Sequence, residues 1–169
     1  MATHRPSPVI VGVVPGAPHA LLAEAVRFAG IMGAELVWAW VDASRYVVEE
    51  IPDGSVHTAP IDPDGADRGD ADFPAALFEA ISAVADAADV QWSVRVLAGD
   101  PARALARLAE VTDAVMIMVG TREATLRATV QEFFGGSVAV HLAHRQHRPV
   151  LVVPLAPVPP HESLPWEHS

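Results

Sequence analysis

Two glycine-bearing turns are where this sequence could do chemistry. Gly120 closes the apolar run Ala114 to Val119 (AVMIMV), and Gly135-Gly136-Ser137 opens a helical stretch that leads to a second apolar run, Pro149 to Val153 (PVLVV). A strand-loop-helix-strand unit with glycines at the carboxyl end of its first strand brings backbone N–H groups and a helix N-terminus to one point, an arrangement that holds phosphate. Arg122 and Arg127 lie in the intervening loop, and a guanidinium fork fits phosphate well. A plainer reading stands beside this one. The glycines also suit tight turns next to a sheet, and the arginines also suit solvated loop charges.

Other reactive residues offer less. His141, His144 and His147 have the look of a metal cluster, but only the first two share a helical face and no carboxylate joins them. They read as solvated positions favoured by a helix C-terminus. His19 has no base or nucleophile partner and reads as a turn residue. The segment after the first apolar run is VVPGAP, without the hydroxyls of the phosphate loops in ATP pyrophosphatases or flavodoxin-like carriers, and no Walker loop occurs. The expectation is therefore no catalytic residue and no metal. With no cysteine, neither a disulfide framework nor a thiolate zinc site is available.

These residues must be positioned by a sheet. Pro8 to Val14 (PVIVGVV) has no polar alternation, as in a strand covered on both faces. Leu21, Ala25, Phe28, Ala29 and Met32 then fall at helical spacing, with Gly33 as the stop. Glu35 to Val41 (ELVWAWV) is a second strand in which Trp38 and Trp40 share a face. After an irregular stretch, Asp72 and Pro74 read as the start of a helix whose apolar face is Leu77, Ile81, Val84, Ala85 and Ala88. Val90 to Leu97 (VQWSVRVL) alternates, which places it nearer a sheet edge. Asp100 reads as the cap of a helix buried through Ala102, Leu105, Leu108 and Ala109. Five strands alternating with four helices predict an α/β fold, a single doubly wound open sheet of five parallel strands in the order 3-2-1-4-5. Leu126, Val130, Phe133 and Phe134 have the spacing of a short amphipathic helix, for core or dimer surface.

At 169 residues and 51% hydrophobic content, the chain suits one domain with a sizeable core. The expected division is a domain over 1–154, with an acidic insert at about 42–72, and a proline-rich tail over 155–169 in which Trp166 docks or frays. Between Asp42 and Asp72 nine acids stand against Arg45 and Arg68. A connection this long and this rich in Pro, Gly and Asp predicts partial disorder, with Tyr46 to Ile51 held against the body. From Gly120 to Arg148 the balance reverses, so the glycine turns sit in a locally basic stretch of a chain whose net charge is −10. That charge argues against nucleic acid and anionic membrane as partners. The opening MATHRPSP lacks the layout of a signal peptide and no apolar run is long enough to span a membrane, so the expected location is the cytoplasm.

VIVGVV near the start, LAGDPARALARLAE before a strand, and MVGTRE followed by GGSVAVHLAHRQHRPVLVVP together resemble the universal stress protein family over residues 8 to 154, apart from the acidic insert. The resemblance implies an adenine-nucleotide hydrolase-like fold and a stress-response or regulatory role. It also implies phosphates on the amides of the glycine turns, an acid after the first strand, and a hydrophobe after the second. Carried over, the site residues are Gly12, Val13, Val41, Gly120, Thr121, Arg122, Gly136, Ser137 and Val138. Two positions depart from the pattern. Glu123 stands where a second glycine is expected, with a longer spacing to Gly136, and Val14 stands where the acid is expected. An unpaired carboxylate facing phosphates in a partly dry site repels them. The expected cofactor is thus none, or ATP or another adenine nucleotide held weakly. The expected function is non-catalytic; the alternative is a nucleotide-gated switch or slow ATP hydrolase. The expected partners are a second copy, paired through the last strand, and a further protein.

Overall fold

The computed structural model describes residues 7–62, 69–121, 138–155, 157, 159 and 161. The elements run β1 (Val9–Val13), α1 (His19–Met32), β2 (Leu36–Asp42), β3 (Arg45–Glu50), β4 (Val56–Pro60), α2 (Ala75–Ala85), β5 (Trp92–Ala98), α3 (Pro101–Val111), β6 (Met116–Gly120), α4 (Val138–Arg145) and β7 (Val150–Val153). Five strands form one sheet in the order β5-β2-β1-β6-β7, and every pairing in it is parallel. Without the β3–β4 hairpin in the count, this is the 3-2-1-4-5 order expected from the sequence.

The apolar runs decide which strands are central. Val9, Ile10 and Val11 of β1 and Ile117 and Met118 of β6 are fully buried, and each such side chain contributes about 1.5–3 kcal/mol on leaving water. Strand alternation sends them to two cores. Val9, Val11, Leu36, Trp38 and Met118 pack with Leu21 and Ala25 of α1 and Leu77 and Ile81 of α2. Ile10, Val37, Ala39 and Ile117 pack on the other face with Leu105 and Leu108 of α3 and Leu142 of α4. The sheet is thus covered on both faces, which is why its inner strands show no polar alternation. No helix among the described residues is long and apolar enough to cross a membrane.

Two helix ends follow the sequence cues. Gly33 ends α1 in the left-handed region, at φ 60, and the next N–H, that of Ala34, donates back to Ala29 O at 3.0 Å. The Asp100 carboxylate accepts the Arg103 N–H at 2.9 Å, capping α3.

Others need correction. His19 is the first residue of α1 rather than part of the turn, and Met32 is 39% exposed. Helix α2 starts at Ala75, with Pro74 extended just before it, so Asp72 lies too far upstream to cap it. Ala88 is exposed because the chain tightens into a 3-10 turn at Asp86–Ala88. The acidic insert carries regular structure over Arg45 to Pro60, as the antiparallel pair β3–β4. The sequence holds the reason. RYVVEE and VHTAP are β-prone runs joined by IPDGS, whose Pro-Asp-Gly is a turn signal, and Gly54 takes φ 85 there. Arg45 anchors the hairpin base: it is 6% exposed and donates from Nε to Thr58 Oγ1 at 2.8 Å and from its guanidinium to Gly69 O.

Candidate functional site

Strand β1 lies between β2 and β6, so the chain turns to opposite sides of the sheet on either side of β1, and the crevice this leaves opens at the carboxyl ends of β1 and β6. The register puts the expected residues at that edge. Gly12 stands beside Ala39 and Val119, Val13 beside Trp40, Val41 beside Leu97, and Gly120 beside Val153. Thr121 follows directly. Val138 begins α4, which runs back to the start of β7, so it stands at the same edge. Arg122, Glu123, Leu126, Arg127, Val130, Phe133, Phe134, Gly135, Gly136, Ser137 and Trp166 lie outside the described residues.

The two strand-end glycines are both tied into packing. A Cβ on Gly12 would lie 3.0 Å from Leu105 Cδ1 and 3.2 Å from Val119 Cγ1, so the missing side chain lets α3 close on β1. A Cβ on Gly120 would lie 2.7 Å from Leu155 Cδ1. Thr121 is equally engaged: its N–H donates to Val153 O at 2.9 Å, and its hydroxyl oxygen accepts the Leu155 N–H at 2.8 Å. The segment after β7 therefore folds back over the end of β6. At the end of β1, Val14 is 64% exposed, and its carbonyl accepts the Ala17 N–H at 3.0 Å in a tight turn. The side chain at that point offers no hydrogen bond to a sugar.

The basic stretch does not converge here as a whole. Arg148 donates from Nε to Ala114 O at 2.8 Å and pairs with Asp113, which places it at the opposite edge of the sheet, before β6 begins. His144 and His147 are exposed, and no group of three metal-binding side chains occurs among the described residues. Leu155 was not legible as a site neighbour, because it sits in a proline-rich segment with no periodicity to place it.

Solved structures share this fold, among them the following three. A universal stress protein in complex with cAMP is 23% identical, with a TM-score of 0.56, covering 87% of this chain and 95% of that one. The universal stress protein from Archaeoglobus fulgidus in complex with dAMP is 16% identical, with a TM-score of 0.53, covering 88% and 98%. A protein of the same family from Burkholderia pseudomallei is 20% identical, with a TM-score of 0.52, covering 89% and 98%. No curated protein matches the chain. Residues 7–154, which take in the whole sheet and the glycine turns, match the universal stress protein family, and the chain belongs to that family.

Proposed function

We propose that this chain is a non-catalytic regulatory protein of the stress response that holds an adenine nucleotide, or another phosphate-bearing anion, weakly at the carboxyl ends of β1, β2 and β6. The observation that carries the reading is the meeting of Gly12, Val41 and Gly120 at one edge of the sheet, at its topological switch point. Relatives of the same fold seen with cAMP and dAMP favour an adenine nucleotide. The phosphate contacts fall to the amides of Gly136, Ser137 and Val138, with Arg122 as the charged partner. Weakness follows from three features. Val14 gives the ribose no acceptor, Glu123 adds negative charge to the loop, and Thr121 spends its N–H on β7.

Isothermal titration with ATP, ADP and cAMP tests this. Weak saturable binding is expected, reduced by Arg122→Ala and without turnover of ATP. Protein that keeps stoichiometric ATP through gel filtration, or that hydrolyses it steadily, overturns the reading. The same proposal includes a homodimer through β7, which lies at the sheet edge and, among the described residues, pairs only with β6.

A further inference from the structure

The β3–β4 hairpin is pinned to the body at two separated places. At its turn, a Cβ on Gly54 would lie 2.5 Å from Leu108 Cδ1 and 3.3 Å from Val111 Cγ2, so the turn backbone lies against α3 as only a glycine allows. Beside it, Arg107 donates from Nε to Glu50 Oε2 at 3.0 Å and pairs with Glu110 at 2.8 Å. At its base, the hairpin leaves the sheet at the end of β2, where the Asp42 carbonyl accepts the Gly99 N–H at 3.2 Å, and Arg45 ties β3 to Thr58 of β4 and to Gly69. Between these two anchorages the hairpin bridges a cavity of about 420 Å³ that reaches from the end of β5 along α3. Its walls include Val47, Ile51, Val56, Leu97, Ala104 and Leu108. The expected nucleotide residues Gly12, Val13, Val41, Gly120, Thr121 and Val138 take no part in it.

The charges around this cavity are unequal in their commitments. Arg107 is shared between Glu50 and Glu110, and the Asp100 carboxylate is occupied as the α3 cap. The Arg103 guanidinium, also on the lining, makes no ion pair among the described residues. A volume in the range of small-molecule pockets, an apolar wall and one uncommitted cation select an apolar molecule with a single anionic group. We infer that the cavity beneath the β3–β4 hairpin is a second ligand site, which takes a small amphipathic carboxylate with its chain against α3 and its carboxylate on Arg103.

Decanoate and decan-1-ol, titrated into the full chain and followed in the amide NMR spectrum, test this. Decanoate should saturate one site per chain, with shifts confined to residues 45–60 and 97–111. Arg103→Ala should weaken decanoate about tenfold, the value of a charge-assisted hydrogen bond, and leave decan-1-ol unchanged. Ala104→Phe fills the cavity from α3 and should abolish both. Val47→Trp fills it from the hairpin, where the 38% exposure of Val47 keeps the change out of the core, and serves if Ala104→Phe does not fold. Absence of saturable binding overturns the inference, as does decanoate affinity that Arg103→Ala leaves intact or shifts that centre on the ends of β1 and β6. Concentration-dependent shifts without ligand, lost together with a dimer in Ala104→Phe, would give the cavity to a second copy and equally overturn it.

Discussion

Leu155 lies against Gly120, close enough that a Cβ on the glycine would meet its Cδ1 at 2.7 Å, while its own N–H donates to the Thr121 hydroxyl at 2.8 Å. The strand end proposed to hold a nucleotide is partly covered by the residue two places after β7. A glycine that reads as a ligand position is also a packing position for the segment that returns over it.

Leu155→Ala separates these roles. The side chain is half-buried, so its loss should cost about 1 kcal/mol or less, below the range for fully buried leucines. If Leu155 restricts the end of β6, the variant should bind ATP several-fold more tightly than the wild type by isothermal titration. Unchanged or weaker affinity would show that its cover is irrelevant to the site.

Gly54→Ala should be the most damaging of the simple glycine substitutions. Its φ of 85 is strained for any L side chain, and the new methyl would meet Leu108 on α3. The left-handed conformation alone costs about 1–2 kcal/mol. Chemical denaturation should show at least that loss. Gly30→Ala, within α1 and with open space at its Cβ, should be neutral or stabilising.

The hairpin also carries a pH dependence. His57 Nδ1 and Asp70 Oδ2 lie 2.7 Å apart, and Asp70 Oδ1 accepts the Thr58 N–H at 2.8 Å. The hydrogen bond with Asp70 raises the His57 pKa, and the Thr58 N–H, followed by His57, lowers that of Asp70. The raised histidine contributes stability fully below its unfolded pKa of about 6.5 and loses it as pH rises through the folded value. The lowered carboxylate contributes above its unfolded pKa of about 3.9 and loses it as pH falls through the folded value. The pair should therefore hold best between those limits. Exchange of hairpin amides, Thr58 first, should speed up from mildly acidic to mildly alkaline pH beyond the intrinsic rate. His57→Gln should remove that excess, and an identical profile in the variant would sink the assignment.

The sheet was legible because both of its faces are covered, so each inner strand announced itself as an unbroken apolar run, and the edge strand β5 announced itself by alternation. Helix α3 was legible through Asp100 and its four inward residues, Ala102, Leu105, Leu108 and Ala109, all buried. The hairpin was obscured by its acids: Glu49 and Glu50 are exposed and mask the β-prone Val47 and Val48 beside them, although Glu50 reaches Arg107 of α3. Its buried anchor, Arg45, looked like one more surface charge. At the site, sequence could place Gly12, Val41 and Gly120 at strand ends. It could not reveal that Thr121 and Gly120 are also bound by the segment after β7, because that contact joins residues 34 positions apart with no pattern in common.

Dimerisation through β7 can be tested at a single residue. The carbonyls of Pro149 and Val153 accept from Ile117 of β6 and from Thr121 just after it, so by the alternation of a β ladder Val150 and Val152 turn their N–H and C=O groups outward. Pro149 and Pro154 bracket the strand, which leaves those two residues as the edge that a second copy can pair with across a two-fold axis. Leu151 and Val153 are poor places to interrupt such a contact. Val153 is only 6% exposed and packs in the core with Met118, so a lysine there would unfold the edge rather than unpair it. Val152 is 41% exposed and carries no such duty. Val152→Lys should therefore keep the helical content and melting temperature close to those of the wild type while placing like charges opposite each other in the dimer. Sedimentation should show a wild-type dimer at tens of micromolar and a monomer for the variant. A wild type that sediments as a monomer, or a Val152→Lys dimer as tight as the original, would refute pairing through this strand.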